Sequence, residues 1–336
     1  MSTIASTAEP SGQSIAPSKL RRRGLLQRWR VPVVCAALAF GFWGGYRACT
    51  AWWVEREDER TPRDETTGIM LGAEPRGLGP VDSPNAALFV HGYAGCGNNF
   101  NQLPDLLAEK GWRVRVLLLP GHGTSPKDME NVSTDTLVHA VVTETEALAE
   151  KHEHVILIGH SMGSALSTIT AAQVPVDGLV LGGAYFGVTH HWYYGLRPEK
   201  WTVIGSHLVR WVYKGDLFLQ VNDRSAKDSI VCYTWLPTHA GLMLNDLGRR
   251  VNEASVLDNV TCPVLMLHSR GDVAASPAAA ERAFNAMASE DKMLVWLPRS
   301  NHHIYWDYDH EQVEREVLEF VGRIAGQSSD LQQPVQ

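Results

Sequence analysis

The sequence has few cysteines and none of the cysteine patterns that hold metals or form redox pairs. Its five cysteines are scattered, without a C-x-x-C pair or metal-ligand spacing, which argues against a zinc-binding or thioredoxin-like protein. A disulfide between two of them stays open at this level. The sequence also lacks an excess of basic residues, because its net charge is −7. We therefore expect no nucleic-acid partner.

What the sequence does have is length and apolar content. With 336 residues, of which 44% are hydrophobic, the chain can bury a sizeable core. One large α/β domain or two smaller domains would fit this length. The composition therefore points to a globular protein, with its N-terminal part set apart by a different composition.

The N-terminal part combines a basic tail with an apolar segment. Residues 1–30 are rich in Ser, Ala, Thr and Pro and then in Lys and Arg, and we expect this tail to be disordered. Residues 31–54 are predicted to be a transmembrane anchor. Their uncharged run, 31–46, has 16 residues, and snorkelling of Arg47 extends it to the roughly 17–25 residues that a bilayer requires. A cleaved signal peptide, or an amphipathic or core helix, remains an alternative.

The charges around this segment give an expected orientation. Six basic residues precede it within twelve positions, which would keep the tail in the cytoplasm and place the bulk of the chain on the extracytoplasmic side. Residues 55–67 are charged and are expected to form a loop-like linker. The globular part is expected to cover 68–325, and 326–336 to form a C-terminal tail.

Short apolar runs alternate with helical segments through the globular part. Strands are predicted at 86–90, 114–119, 155–158, 178–181, 263–268 and 293–297, and helices at 99–110, 134–151 and 310–325, with a further helix capped by Ser276. This alternation predicts a doubly wound, mainly parallel sheet.

Residues 185–258 interrupt the alternation. They show no clear strand, carry many Trp and Tyr residues, and contain helical fragments at 206–213 and 240–251. An aromatic-rich insertion between two strands is most simply a cap over the site. We expect most of its aromatic side chains to form the core of the cap and the others to line an apolar pocket.

A candidate nucleophile lies at the end of the strand 155–158. The residues that follow, Gly-His-Ser-Met-Gly at 159–163, match the pattern G-x-S-x-G, and the next residues can continue as a helix. A strand before the motif and a helix after it are the context in which a sharp turn exposes the serine hydroxyl. The two glycines permit close approach of the neighbouring strand and helix. Ser161 is therefore the predicted nucleophile.

A serine hydroxyl needs a base to take its proton and an acid to orient that base. In folds that carry this motif, the chain order is serine, acid and histidine, each after a strand. Asp272 follows the strand at 263–268 and His302 follows the last strand, so we predict Asp272 as the acid and His302 as the base. His303 stays an alternative base, because adjacent loop residues point in different directions.

The oxyanion of an acyl-transfer intermediate needs two backbone N–H donors. One is expected from Met162, the residue after the nucleophile. The other is expected from the loop after the strand 86–90, where Gly92 allows close approach and Tyr93 is the candidate donor.

Five sequence blocks resemble the carboxylesterase and monoacylglycerol lipase branch of the α/β-hydrolases. They are His-Gly-Tyr-Ala-Gly at 91–95, Leu-Pro-Gly-His-Gly-Thr-Ser-Pro at 119–126, Gly-His-Ser-Met-Gly at 159–163, Cys-Pro-Val-Leu-Met at 262–266 and Ser-Asn-His at 300–302. The resemblance implies an α/β-hydrolase fold with a helical cap at about 185–258, here preceded by one N-terminal transmembrane helix. It also implies hydrolysis of short- to medium-chain carboxylic esters or monoacylglycerols, with Ser161, Asp272 and His302 as the triad.

We therefore expect a membrane-anchored serine hydrolase, a carboxylesterase or lipase-like enzyme that forms an acyl-enzyme with a small-molecule acyl ester. No metal or organic cofactor is expected. An acyltransferase, thioesterase or serine peptidase could use the same triad. A catalytically silent, cap-bearing binding protein is the alternative outside the enzymes, because a fold does not by itself fix a function. The physiological substrate, the acyl chain length and the oligomeric state stay open.

Overall fold

The computed structural model describes residues 20–215 and 219–326, with side chains from residue 30 onward. The expectations for residues 1–19 and 327–336 lie outside the described residues. The chain divides into two compact units, one that ends at Thr50 and one that begins at Ala51.

Helix α1 covers Leu20–Arg60 and is longer than predicted in both directions. It includes the last residues of the tail that was expected to be disordered and the first six residues of the expected linker. The first stretch is rich in Leu and Arg and the second in Glu and Arg, all of which are strong helix formers, and this explains the difference. Its part Arg30–Arg60 is long and apolar enough to cross a membrane, with a mean hydropathy of 1.2, although a signal sequence would pass the same test.

The last turns of α1 pack within the second unit. Val54 is only 1% exposed. The Glu57 carboxylate accepts hydrogen bonds from the Thr234 hydroxyl and from Trp235 Nε1, the latter at 3.0 Å. Asp58 accepts from Ser125 Oγ at 2.8 Å. The tertiary contacts of the second unit therefore begin ahead of residue 68.

The strands, in chain order, are β1 (Arg76–Leu78), β2 (Asn85–Val90), β3 (Arg113–Val116), β4 (His154–His160), β5 (Gly178–Gly182), β6 (Trp211–Tyr213), β7 (Trp235–Pro237), β8 (Val264–Ser269) and β9 (Lys292–Leu297). The helices after α1 are α2 (Leu103–Glu109), α3 (Thr134–Ala149), α4 (Met162–Ala171), α5 (Pro198–Leu208), α6 (Ala240–Val251), α7 (Ala254–Leu257), α8 (Pro277–Ala286) and α9 (His310–Ile324).

Seven strands form the central sheet in the order β1-β3-β2-β4-β5-β8-β9. All neighbours are parallel except β1, which pairs antiparallel with β3. Strands β2, β5 and β8 are buried along their whole length, and each contains a continuous apolar run that the sequence shows. The sequence gives no such signal for β1, which is a partly exposed Arg-Gly-Leu tripeptide.

Helices cover both faces of the sheet. Alternate residues of one strand belong to the two cores. Leu157 of β4 is part of the core that includes residues of α3, α4, α6 and α8, whereas Ile156 and Ile158 are part of the core that includes residues of α2 and α9. The predicted doubly wound, mainly parallel sheet is confirmed. Because the strands are parallel, their carboxyl ends meet at one edge of the sheet, and the loops that follow them come together there.

The insertion at 185–258 differs from the expectation in three respects. It contains a two-stranded antiparallel sheet of β6 and β7, where no clear strand was expected. The helical fragment expected at 206–213 is instead the end of α5 followed by β6. Of the aromatic side chains, Trp211 and Tyr233 are buried, but Trp192 is 89% exposed and Trp201 is 50% exposed. The expectation of an aromatic cap core was therefore wrong for much of the set.

Candidate active site

Ser161 occupies a strained turn between β4 and α4. Its φ of 53° lies in the left-handed region, which a non-glycine residue rarely adopts. Close packing makes the flanking glycines necessary. A Cβ atom on Gly163 would lie 1.8 Å from the Val90 carbonyl oxygen, and one on Gly159 would lie 2.6 Å from the Ser164 backbone. The turn therefore fixes the serine at the carboxyl edge of the sheet.

The structure brings Ser161, His302 and Asp272 into one hydrogen-bonded chain. Ser161 Oγ lies 2.8 Å from His302 Nε2, and His302 Nδ1 lies 2.7 Å from Asp272 Oδ2. In the tautomer that suits both contacts, the hydroxyl donates to Nε2 and Nδ1–H donates to the carboxylate. These distances are those that a nucleophile, its base and the orienting acid require.

Asp272 is buried, and both oxygens of its carboxylate accept hydrogen bonds from other groups of the protein. Its Oδ1 accepts the backbone N–H groups of Ala274 and Ala275, both at 2.8 Å. Burial alone would raise the pKa of this carboxyl. The charge and hydrogen bond of His302, with smaller contributions from His268 and the Ala274 N–H, outweigh burial and hold the pKa below its ordinary value. Asp272 is therefore ionised at neutral pH.

His303 points elsewhere. Its ring lies against that of His160, with 5.5 Å between the ring centres, and its two nitrogens have no hydrogen-bond partner among the described residues. The geometry thus brings His302, and not His303, to Ser161.

The loop after β2 lies directly beside Ser161. A Cβ atom on Gly92 would lie 3.3 Å from that of Ser161 and 3.1 Å from His160 Nδ1, so a side chain here would crowd the nucleophile. The Gly92 N–H donates to Asn99 Oδ1 at 3.0 Å. Tyr93, the next residue, lines the same cavity as Ser161, and Met162 is the first residue of α4, where backbone N–H groups are not used within the helix.

His91 ties this loop to the Pro-Gly-His-Gly segment. Its Nδ1–H donates to the Gly92 carbonyl at 2.9 Å, and its Nε2 accepts the Leu119 N–H at 3.0 Å. No sequence pattern predicted these contacts of His91 and Asn99, although both residues follow β2 closely.

Two buried aspartates that sequence analysis also missed hold the His302 loop. Asp309 Oδ2 accepts the backbone N–H groups of Arg299 and Ser300, each at 2.8 Å. Asp307 Oδ2 accepts the Asn301 N–H at 2.7 Å. From the cap side, the Gln220 carbonyl accepts the N–H groups of His302 and His303, each at 3.1 Å. The only sequence signal was the proximity of two acidic residues to His302.

A cavity of about 310 Å³ opens onto Ser161 and His302. One part of its wall is apolar and includes Tyr185, Val188, Leu244 and Ala275. These residues are mutually connected, since Tyr185 donates to the Leu244 carbonyl and Val188 forms a β-bridge with Ala275. The apolar wall suits an acyl chain.

Several histidines around the site are buried and neutral. Burial is the main cause that lowers the pKa of His122 and His268 to about 4 and that of His160 to about 3. Burial also lowers the pKa of His91 and His303 well below the ordinary value. The site is therefore assembled from imidazoles that are uncharged at neutral pH.

Because these histidines are buried and neutral, we expect acid to destabilise the folded protein. Because their pKa values are lower in the folded chain than the ordinary 6.5, the unfolded chain binds more protons below pH 6.5, so acid favours unfolding. His122 and His268 should each lower the unfolding free energy by up to about 1.4 kcal/mol per pH unit between pH 6.5 and about 4. Denaturant titrations at pH 7.5 and 5.0 measure this loss.

The matched variants for this prediction are His122→Asn and His139→Gln. An Asn amide can replace the Nδ1–H that donates to the Pro120 carbonyl, so the first variant should show a shallower pH dependence. His139 is exposed, and the second variant should keep the original dependence. An unchanged slope in His122→Asn would contradict the explanation.

The sheet order, the strained serine between β4 and α4, and the loops that meet at the carboxyl edge define an α/β-hydrolase fold. The chain belongs to the family described as serine aminopeptidase, S33, whose pattern matches residues 82–309. This confirms the resemblance found in the sequence.

Named relatives agree with the family. The chain is 27% identical to the thermostable monoacylglycerol lipase of Bacillus sp. (strain H-257) over 266 residues, which cover 77% of this chain and 98% of that protein. It is 22% identical to the carboxylesterase of Bacillus subtilis (strain 168), over 71% of this chain and 93% of that protein. A solved structure described for the metagenome-derived lipolytic enzymes LipS and LipT superposes with a TM-score of 0.67 at 24% identity, and covers 76% of this chain and 99% of that one.

Proposed function

We propose that this protein hydrolyses short- to medium-chain acyl esters or monoacylglycerols through a Ser161–His302–Asp272 triad. The observation that carries the proposal is the hydrogen-bonded chain from Ser161 Oγ to Asp272 Oδ2 at the floor of a partly apolar cavity. The chain is a carboxylic ester hydrolase. Its similarity to proteins named monoacylglycerol lipase and carboxylesterase supports this activity.

The mechanism follows from the positions of these atoms. Ser161 Oγ attacks the ester carbonyl carbon while His302 Nε2 takes its proton, and Asp272 stabilises the resulting imidazolium. The N–H groups of Tyr93 and Met162 stabilise the oxyanion. His302 then gives the proton to the leaving alcohol. In the second half, His302 takes a proton from water as the water oxygen attacks the acyl carbonyl carbon. His302 then returns this proton to Ser161 Oγ as the bond from Oγ to the acyl carbon breaks and the acid leaves.

The lining of the cavity favours esters over peptides with a free amino terminus. An aminopeptidase has to bind the substrate's ammonium group, for which a carboxylate is the usual partner. No Asp or Glu lines the cavity in the described part of the chain, and Lys214 does line it. A cationic amino terminus would therefore be repelled.

A direct comparison of substrates tests the proposal. The p-nitrophenyl esters from C2 to C16 should be hydrolysed with a maximum at short or medium chain length, because a cavity of about 310 Å³ holds a limited chain. Aminoacyl p-nitroanilides should be hydrolysed far more slowly, if at all. A preference for the anilides would replace the esterase proposal with a peptidase.

The further part of the proposal is that α1 anchors the enzyme to a membrane, with the hydrolase domain extracytoplasmic. The length and hydropathy of Arg30–Arg60 support the anchor, and the basic residues ahead of it support the orientation.

Membrane fractionation tests the anchor. The full-length protein should remain with membranes through a carbonate wash, because insertion of an apolar helix is effectively irreversible. A chain that begins at Ala51 should be soluble and active. Protease added to intact cells, with any outer envelope made permeable, should reach the hydrolase domain.

The matched control for this experiment begins at Thr66 and so lacks Val54 and Glu57. Loss of their contacts should lower its Tm relative to the chain from Ala51. A shortened mature protein in the soluble fraction would instead identify a cleaved signal peptide, and protection of the hydrolase domain from protease would reverse the orientation.

A further inference from the structure

Besides its apolar residues, the cavity is lined by polar side chains. Lys214, Gln220 and His303 all line it, together with His302. The backbone contacts between Gln220 and the His302–His303 segment hold this part of the cap against the triad loop. The reacting ester therefore has an apolar wall in one part of the cavity and a wall of hydrogen-bond donors in another.

Lys214 is the side chain that gives this wall its charge. It directly follows β6, and its backbone N–H donates to the Thr234 carbonyl at 2.6 Å, so the β6–β7 sheet fixes its position. Burial is the larger cause of the low pKa values of His160 and His303, and the Lys214 charge lowers both of them further. Lys214 is thus close enough to influence groups next to Ser161.

The neighbours of Lys214 suit an anion. Gln220 offers amide N–H groups, and neutral His303 has one N–H without a partner in the described part of the chain. No carboxylate of the described residues lines the cavity. Among the described residues, Lys214 is the only Lys, Arg, Asp or Glu that lines the cavity. Its positive charge attracts a negative charge on the ligand, and the low dielectric strengthens that attraction.

We propose that Lys214 selects acyl esters whose alcohol part carries an anionic group, a phosphate or a carboxylate. The proposal rests on the proposed ester hydrolysis and deepens it. The acyl chain lies against Tyr185, Val188 and Leu244, and the anion lies at Lys214 with Gln220 and His303 as further donors. The substrate class is therefore an anionic monoacyl ester, such as a monoacylglycerol phosphate, rather than a neutral ester alone.

Matched soluble substrates test this selection in the full chain. They are 1-octanoylglycerol, its 3-phosphate, the neutral dimethyl ester of that phosphate, and the octanoyl ester of glyceric acid. At 0.15 M salt, the value of kcat/KM for the anionic substrates should exceed that for both neutral ones by about 10–100-fold, the size of a charge-assisted hydrogen bond in a partly buried site. The phosphate and carboxylate substrates show which anion the site prefers.

The Lys214→Met variant should reduce the anionic-to-neutral ratio of kcat/KM to near one. Lys214→Glu should reverse the preference. The control is Lys200→Met, which removes the same charge from an exposed position on α5 and should leave the ratio unchanged. Labelling of Ser161 by a fluorophosphonate at the original rate shows that each variant is folded.

One outcome would overturn the selection by Lys214: an unchanged anionic-to-neutral ratio in Lys214→Met, whether both activities are kept or both fall by the same factor. The failure of the underlying proposal looks different, because the unmodified enzyme would then hydrolyse none of the four esters.

Discussion

The Ser161→Ala variant is expected to lose at least about 10⁴-fold in kcat on p-nitrophenyl esters and to lose labelling by a fluorophosphonate probe. The reason is geometric. Ser161 Oγ lies 2.8 Å from His302 Nε2, and no other hydroxyl of the described residues contacts that nitrogen. Rate measurements and gel-based labelling of the purified protein test this result.

A serine on the same helix provides the control. Ser167 in α4 is fully buried, and its Oγ has no hydrogen-bond partner among the described residues, so Ser167→Ala should change neither activity nor labelling substantially. Circular dichroism should show the same fold for both variants. Labelling of Ser161→Ala at the original rate would remove Ser161 from the mechanism.

The second large effect is expected for His302. Replacing it with Ala should lower kcat on a neutral p-nitrophenyl ester by about 10³-fold or more, because the serine then has no base and only oxyanion stabilisation and binding remain. His303→Ala should lower it by less than about tenfold. His303 makes no hydrogen bond to Ser161 or Asp272 and lies against His160 instead.

The comparison of the two histidines is its own control, since both are buried and adjacent. Equal losses, or a larger loss in His303→Ala, would transfer the role of the base. Removal of either buried ring leaves a cavity, which lowers the stability of the fold. Thermal unfolding of both variants therefore separates a loss of catalysis from a loss of stability.

Sequence patterns were sufficient for six of the seven strands of the central sheet and for the choice of triad candidates. Strands β2, β4, β5 and β8 are buried runs of apolar residues, and such runs are visible without any structure. Because parallel strands end at one edge, residues that follow them meet there, and the order serine, aspartate, histidine could be read from the chain. The same reasoning was unable to choose between two adjacent histidines.

The features that the sequence did not predict depend on contacts between residues far apart in the chain. The strand β6 pairs with β7 across more than twenty residues, and neither is long enough to show a pattern. The sequence does not distinguish the exposed Trp192 from the buried Trp211, because burial depends on neighbours from elsewhere in the chain. The segment 55–67 was expected to be a loop-like linker, because the sequence does not show that Glu57 has partners in β7 and just before it. These partners lie almost 180 residues away along the chain.

The sequence by itself determined the alternation of strands and helices, the glycines that allow the turn at Ser161, and the residue types that can form a triad. These features depend on local stereochemistry and on the period of apolar residues. Only the tertiary structure decided that His302 faces Ser161, because Asp307, Asp309 and the Gln220 carbonyl orient its loop through backbone hydrogen bonds. Only the tertiary structure also brought Lys214 to the cavity, since its position depends on the pairing of β6 with β7 and on the packing of the cap over the sheet.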